Sequence, residues 1–263
     1  MDTVYLVVAL GAAVAGFVQG LSGFAFGMVA MSFWAWVLDP RLAATLVVFG
    51  ALLGQVLAAV TVRRAVDVKR LLPFLVGGLA GVPLGVALLP YLDMDGFKTM
   101  LGLLLVCWCP AMLWAAHVSK TQPKIQSSIQ SNTSAKHRLA DGAVGVAGGM
   151  LGGLGGFTGV VPTLWCTLRG FDKDSQRAII QNFNLAMLLT TMGTYLAKGM
   201  VTRDMLPLFA IVAPAMLIPT LWGAKLYIGI SEARFRQIVL VLLSLSGLAM
   251  LGSSLPRLLE RMG

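Results

Sequence analysis

Gly20-Leu21-Ser22-Gly23-Phe24 and Gly153-Leu154-Gly155-Gly156-Phe157 are two versions of one glycine-broken stretch, each inside a long apolar segment. Glycines at these points interrupt what would otherwise be a continuous membrane helix. A break of this kind leaves backbone amides and carbonyls without partners in lipid, so protein or a water-filled cavity must surround it. Paired breaks at corresponding places in two halves of a chain point to the binding site of a transporter.

The surrounding composition fits this reading. Of 263 residues, 57% are hydrophobic and only 12% charged, and the mean hydropathy is +0.83. Soluble domains carry about 25% charged residues, so the chain reads as an all-α polytopic membrane protein. Its net charge of +9 comes from 20 Lys and Arg residues that sit between apolar runs. They read as topology signals and not as a nucleic-acid surface. No removable signal peptide is expected after Met1-Asp2-Thr3. Cys107, Cys109 and Cys166 have neither metal-ligand spacing nor a disulfide pattern.

Residues 4 to 38 carry no charge and are too long for one crossing of about 20 residues. Spans follow at 42 to 62, 71 to 92 and 99 to 116, with Asp93, Asp95 and Lys98 in a polar turn before the last. The stretch 118 to 138 is polar and basic and divides a first repeat (1 to 117) from a second (139 to 263). The second repeat has a broken segment at 139 to 168, whose halves are expected to be about a dozen residues each. Spans are then expected at 178 to 197, 205 to 226 and 237 to 255. Asp39 and Asp172, which end the two broken segments, are separated by the same interval as Gly20 and Gly153, so the repeat keeps register.

If the broken segments dip into the membrane and return, the loops on one side carry 14 Lys or Arg and those on the other six. If they cross, the better split is 12 to eight. The excess of cations on the cytoplasmic side therefore favours two inverted repeats. Each would hold a re-entrant hairpin and three transmembrane helices, with both termini outside and the linker in the cytoplasm.

On these residues the chain resembles the TauE/SafE family of sulfite and sulfonate exporters, which is marked by a duplicated glycine-rich apolar motif. The copies here read GFVQGLSGFAFG (16 to 27) and GGMLGGLGGFTGVVP (148 to 162). The resemblance covers nearly the whole chain outside the linker. It implies a secondary transporter in the bacterial inner membrane that exports small sulfur oxyanions. Phe24, Ala25 and Phe26 stand where the family more often has consecutive glycines, and Phe157 and Thr158 where small residues are usual. Apolar surface from Phe24, Phe26 and Phe157 suits an organosulfonate better than bare sulfite.

The chemistry read from the residues agrees with an anion. No Asp, Glu, Lys or Arg falls in the interior of an expected span, which argues against a cation site or a carboxylate proton relay. An oxyanion can be held by backbone N–H groups at half-helix N-termini. The expected substrate-binding residues are Gly20, Ser22, Gly23, Phe24, Gly155, Gly156, Phe157 and Thr158, together with Gln181 and Asn184 on one face of the following helix. Arg177, four residues before Gln181, would attract anions at the entrance. Gln19 and Gln55 read as packing amides.

No metal, cofactor or nucleic acid is expected. The partners are the lipid bilayer and a small anion, with protons as a candidate coupling ion and the oligomeric state open. An intramembrane enzyme is disfavoured because no zinc motif or acid–base pair lies in a span. A membrane scaffold or assembly factor, or a carrier of a different anion, stays as the alternative.

Overall fold

The computed structural model describes residues 2–22, 25–61, 67–121, 135–225 and 232–262, and every regular element among them is helical. The first half contains α1 (Asp2–Ser22), α2 (Phe26–Trp34), α3 (Pro40–Thr61), α4 (Val68–Leu88) and α5 (Met94–Thr121). The second contains α6 (Ala135–Gly155), α7 (Val160–Leu168), α8 (Lys173–Ala197), α9 (Leu206–Lys225) and α10 (Glu232–Met262). Aspartate starts four of these helices by accepting hydrogen bonds from otherwise unpaired amides. Asp39 accepts from Arg41 N–H, Asp67 from Lys69 and Arg70, Asp93 from Gly96, and Asp172 from Ser175. The Ser175 hydroxyl and backbone N–H hold the Asp172 carboxyl below its ordinary range.

Among the described residues, six helices are long and apolar enough to cross a membrane, and they belong to α1, α3, α4, α5, α9 and α10. The sequence expectation needs four adjustments. α1, expected as half of a re-entrant hairpin, is itself long and apolar enough to cross. α8, expected as a span at 178 to 197, is not one of the six; its Asn and Thr residues lower its hydropathy although it is 25 residues long. α6 has 21 residues instead of about a dozen: it begins four residues inside the polar stretch, where α5 also ends, and continues unbroken to Gly155. α5 also starts at Met94, so the expected polar turn is helical, with Asp95 and Lys98 buried. Lys98 lies over the Trp36 ring.

Side-chain contacts fix the direction of each helix. α2 returns along α1, since Phe33 and Trp34 at its end lie against Gly11. α7 returns along α6, where Trp165 and Arg169 reach Asp141. With nine residues each, α2 and α7 extend about 14 Å, less than half of a bilayer core of about 30 Å.

α6 runs parallel to α4: a Cβ on Gly77, Gly81 or Gly85 would overlap the backbone carbonyls of Gly142, Val146 or Met150. Glycine here allows two backbones to meet directly. α1 runs parallel to α9, with Gly16 against Met216 and Phe17 against Gly223. α5 and α10 are antiparallel, with Gly102 by Gly247 and Thr99 bonded to Ser254. The start of α3 meets the turn just past α4, where Arg41 donates to the Pro90 carbonyl. α8 follows α6, with Phe183 by Gly148 and Tyr195 by Gly153. The molecule therefore has one face where α3 begins and an opposite face where α4, α6 and α8 begin.

Candidate functional site

The two helix breaks meet in the middle of the molecule. Gly156 has φ 76°, a left-handed conformation natural to glycine. It ends α6 with Phe157 N–H turned back to the Leu151 carbonyl (3.3 Å). Carbonyls near this break receive donors from other helices. Tyr195 Oη on α8 donates to Gly153 (2.7 Å), and Trp108 Nε1 on α5 donates to Val160 (2.7 Å). At the first break the left-handed position is occupied by Ala25, also at φ 76° and the sole non-glycine residue in that region among those described.

Between the breaks is a cavity of about 30 Å³. It is lined by residues 25–28 of the first break, residues 156–160 of the second, and Gln19, Ala51, Gln55, Asn184 and Leu188. α2 and α7 both begin at this cavity, and neither N-terminus is capped by a side chain or has an acidic residue in its first turn. Such ends present backbone N–H donors and a positive dipole. Thr158 Oγ1 donates to Asn184 Oδ1 at 2.8 Å, which leaves the amide NH₂ of Asn184 as its remaining donor. Among the described residues, no ionisable side chain lines the cavity. The arrangement offers hydrogen bonds and dipoles to an anion without a fixed countercharge.

The expected site residues fall in several places. Gly156, Phe157, Thr158 and Asn184 line the cavity. Gly20 is in the last turn of α1 and Gly155 is the last residue of α6, both beside the breaks and outside the cavity lining. Ser22 is the last residue of α1. Gly23 and Phe24 lie outside the described residues. Gln181 is half-buried one turn before Asn184, and Arg177 is exposed in the second turn of α8. Ala25 and Phe26 also reach the cavity.

Two features escape the sequence reading. Gln19 and Gln55, read as packing amides, both line the cavity, and they are 4% and 3% exposed. Gln19 packs where Gly54 leaves room for it on α3. An amide in an apolar run signals polarity but not the direction it faces, so only tertiary contacts separate a lining residue from glue.

The second feature is Asp141, buried inside α6 where the sequence reading places no carboxylate. It accepts from Trp165 Nε1 (2.7 Å) and pairs with Arg169 at 3.1 Å. The Arg169 guanidinium in turn lies over the Trp165 and Phe171 rings. The 28 residues between Asp141 and Arg169 conceal the pair in sequence.

No curated protein and no solved structure matches the chain. One family model does match, described as sulfite exporter TauE/SafE, over residues 8–250. Nearly the whole chain is covered, both helix breaks included, so this integral membrane protein belongs to the TauE/SafE family of sulfite exporters.

Proposed function

We propose that the chain is a secondary carrier for small sulfur oxyanions, sulfite or an organosulfonate, with the cavity between the breaks as its binding site. The observation that carries this reading is the meeting of two uncapped helix N-termini with Gln19, Gln55 and Asn184 around one cavity that, among the described residues, has no fixed charge in its lining. Backbone amides and the NH₂ groups can hold an oxyanion, and the lack of a countercharge leaves binding weak enough for release.

The two halves act as inverted repeats. In support, α1 and α6 have the same length, and the interval in sequence between their starts equals the interval between the starts of α3 and α8. The pairings α1 with α9 and α6 with α4 also exchange under that correspondence. α1–α2 and α6–α7 then serve as re-entrant hairpins from opposite sides, and alternating access follows from rocking about the cavity. The excess of Lys and Arg in the loops before α4 and α8 supports a cytoplasmic start for both helices in a bacterial inner membrane.

At about 30 Å³ the cavity has room for roughly two waters. Its lining must withdraw to admit a sulfur oxyanion. The required movement is smaller for sulfite than for an organosulfonate, which reverses the preference drawn from the phenylalanines alone.

Flux into liposomes holding purified protein tests the reading, with labelled sulfite, taurine, sulfoacetate, sulfate and chloride compared with and without a pH gradient. Saturable flux of a sulfur oxyanion is expected, and its response to the gradient reports proton coupling. Absence of flux for every anion, from protein that is folded and inserted, would overturn the carrier and favour a scaffold.

A further inference from the structure

We propose that the anion reaches the cavity along α8, while the corresponding route along α3 is a dry apolar seal, so that the two sides of the membrane have gates of different kinds. The proposal rests on the carrier reading above and adds the path to its site. α3 and α8 occupy corresponding places in the two halves, begin on opposite faces and both reach the cavity. Their inward-leading positions can be compared in register. From the start of α8 the sequence of positions is Arg177, Gln181, Asn184 and Leu188; from the start of α3 it is Ala44, Val48, Ala51 and Gln55.

The two routes differ in both chemistry and packing. On α8, Arg177 is exposed, Gln181 is half-buried and Asn184 is 4% exposed, a polar series that deepens toward the cavity. On α3, Ala44 and Val48 are 0% exposed and Ala51 is 6%. Val48 also packs, with its neighbour Val47, against Gly156 at the second break. Water and anions enter a path lined by amides; Arg177 stands at its mouth beside Asp174, and Arg41 stands at the mouth of the α3 path, so the routes differ in their lining and not in the charge at the entrance. A tightly packed apolar constriction excludes water and anions by dewetting.

The amides in the cavity continue the asymmetry. Position 184 holds Asn where position 51 holds Ala, and position 55 holds Gln where position 188 holds Leu. Gln55 and Asn184 are each displaced toward the face where α8 begins, relative to Ala51 and Leu188, because α3 and α8 run in opposite directions. Gln19 lies beside Gly54 at the level of Gln55. The polar half of the cavity therefore opens toward the polar route and the apolar half toward the seal.

Accessibility of single cysteines tests this without depending on flux. Gln181→Cys, Val48→Cys and Ala44→Cys are each placed in protein whose Cys107, Cys109 and Cys166 are replaced by alanine, reconstituted in liposomes and required to keep the parent thermal midpoint. Lys69→Cys marks the face where α4 and α8 begin. Gln181→Cys should react with a sulfonated methanethiosulfonate from the Lys69 face.

Val48→Cys and Ala44→Cys should react from neither face at rates within about a hundredfold of Gln181→Cys. Reaction of both α3 positions from the opposite face at a rate like that of Gln181→Cys would overturn the seal. No reaction at Gln181→Cys from the Lys69 face would overturn the polar route. Either result leaves the carrier reading to be judged by flux alone.

Discussion

The two helix breaks occupy equivalent places but are built differently. The second turns on a glycine at φ 76°, its carbonyls are tied by Tyr195 and Trp108, and its returning helix is clamped at the base by Asp141, Trp165 and Arg169. The first turns through Ala25 at the same φ, and among the described residues its returning helix rests on α1 through Phe33 and the indole of Trp34 against Gly11. An alanine held in the left-handed region costs about 1–2 kcal/mol, and strain of this sort persists where function requires it. Among the described residues the contrast separates a braced break from a strained one, and on the carrier reading proposed above it favours α1–α2 as the part that moves more.

The strongest way to break that comparison is at its braced side. Gly156→Leu adds both left-handed strain and a side chain that meets Val47 within 2.9 Å at its first atom. A loss of about 3 kcal/mol or more is expected from strain and overpacking together, along with loss of flux. Normal flux with an unchanged thermal midpoint in detergent would remove the second break from the site.

Asp141→Ala comes next. It leaves the indole N–H and a partly buried guanidinium without their acceptor, and a cost of about 2 kcal/mol follows. Asp141→Asn, which can still accept from Trp165, should recover part of it. Chemical unfolding of both variants measures the difference, and equal stability of Ala and wild type would show the clamp to be idle.

Tyr195→Phe removes one donor from Gly153 and should cost about 1.5 kcal/mol. The effect should be local, read as faster amide exchange at residues 153–157 and not at residues 25–29. Uniform acceleration at both breaks would mean that the braces are shared.

The smallest effect has the opposite sign. Ala25→Gly relieves the strained dihedral and should stabilise by about 1 kcal/mol, less the added freedom of the unfolded chain. If the strain serves movement, flux falls as stability rises. An increase in both would deny the first break its mobile role.

Much of this architecture is legible in sequence, for identifiable reasons. Long uncharged runs announce helices because lipid leaves no other solution for the backbone, and Asp39 and Asp172 mark where the broken segments end; that each also caps the next helix emerges only in the structure. Both breaks are visible as glycines, although the first turns at Ala25, three residues after α1 ends. The Asp141–Arg169 pair is not legible, since a charge two residues inside an expected segment reads as a boundary. Nor are Gln19 and Gln55, because facing direction depends on helices far away in the chain. Asn184 is legible where they are not, because Gln181 and Arg177 share its helical face and outline a polar stripe.

Thr220 on α9 donates to the Gly16 carbonyl on α1, across 204 residues of chain. During synthesis at about 5–20 residues per second, the first helix is made roughly 10–40 seconds before its partner. Throughout that interval its small-residue face lies against lipid or the insertion machinery. α4 waits in the same way, for a shorter time, until α6 follows. The order of translation thus delays both cross-half contacts until the second half has emerged, and a ribosome stalled in the linker would leave a first half inserted without either partner.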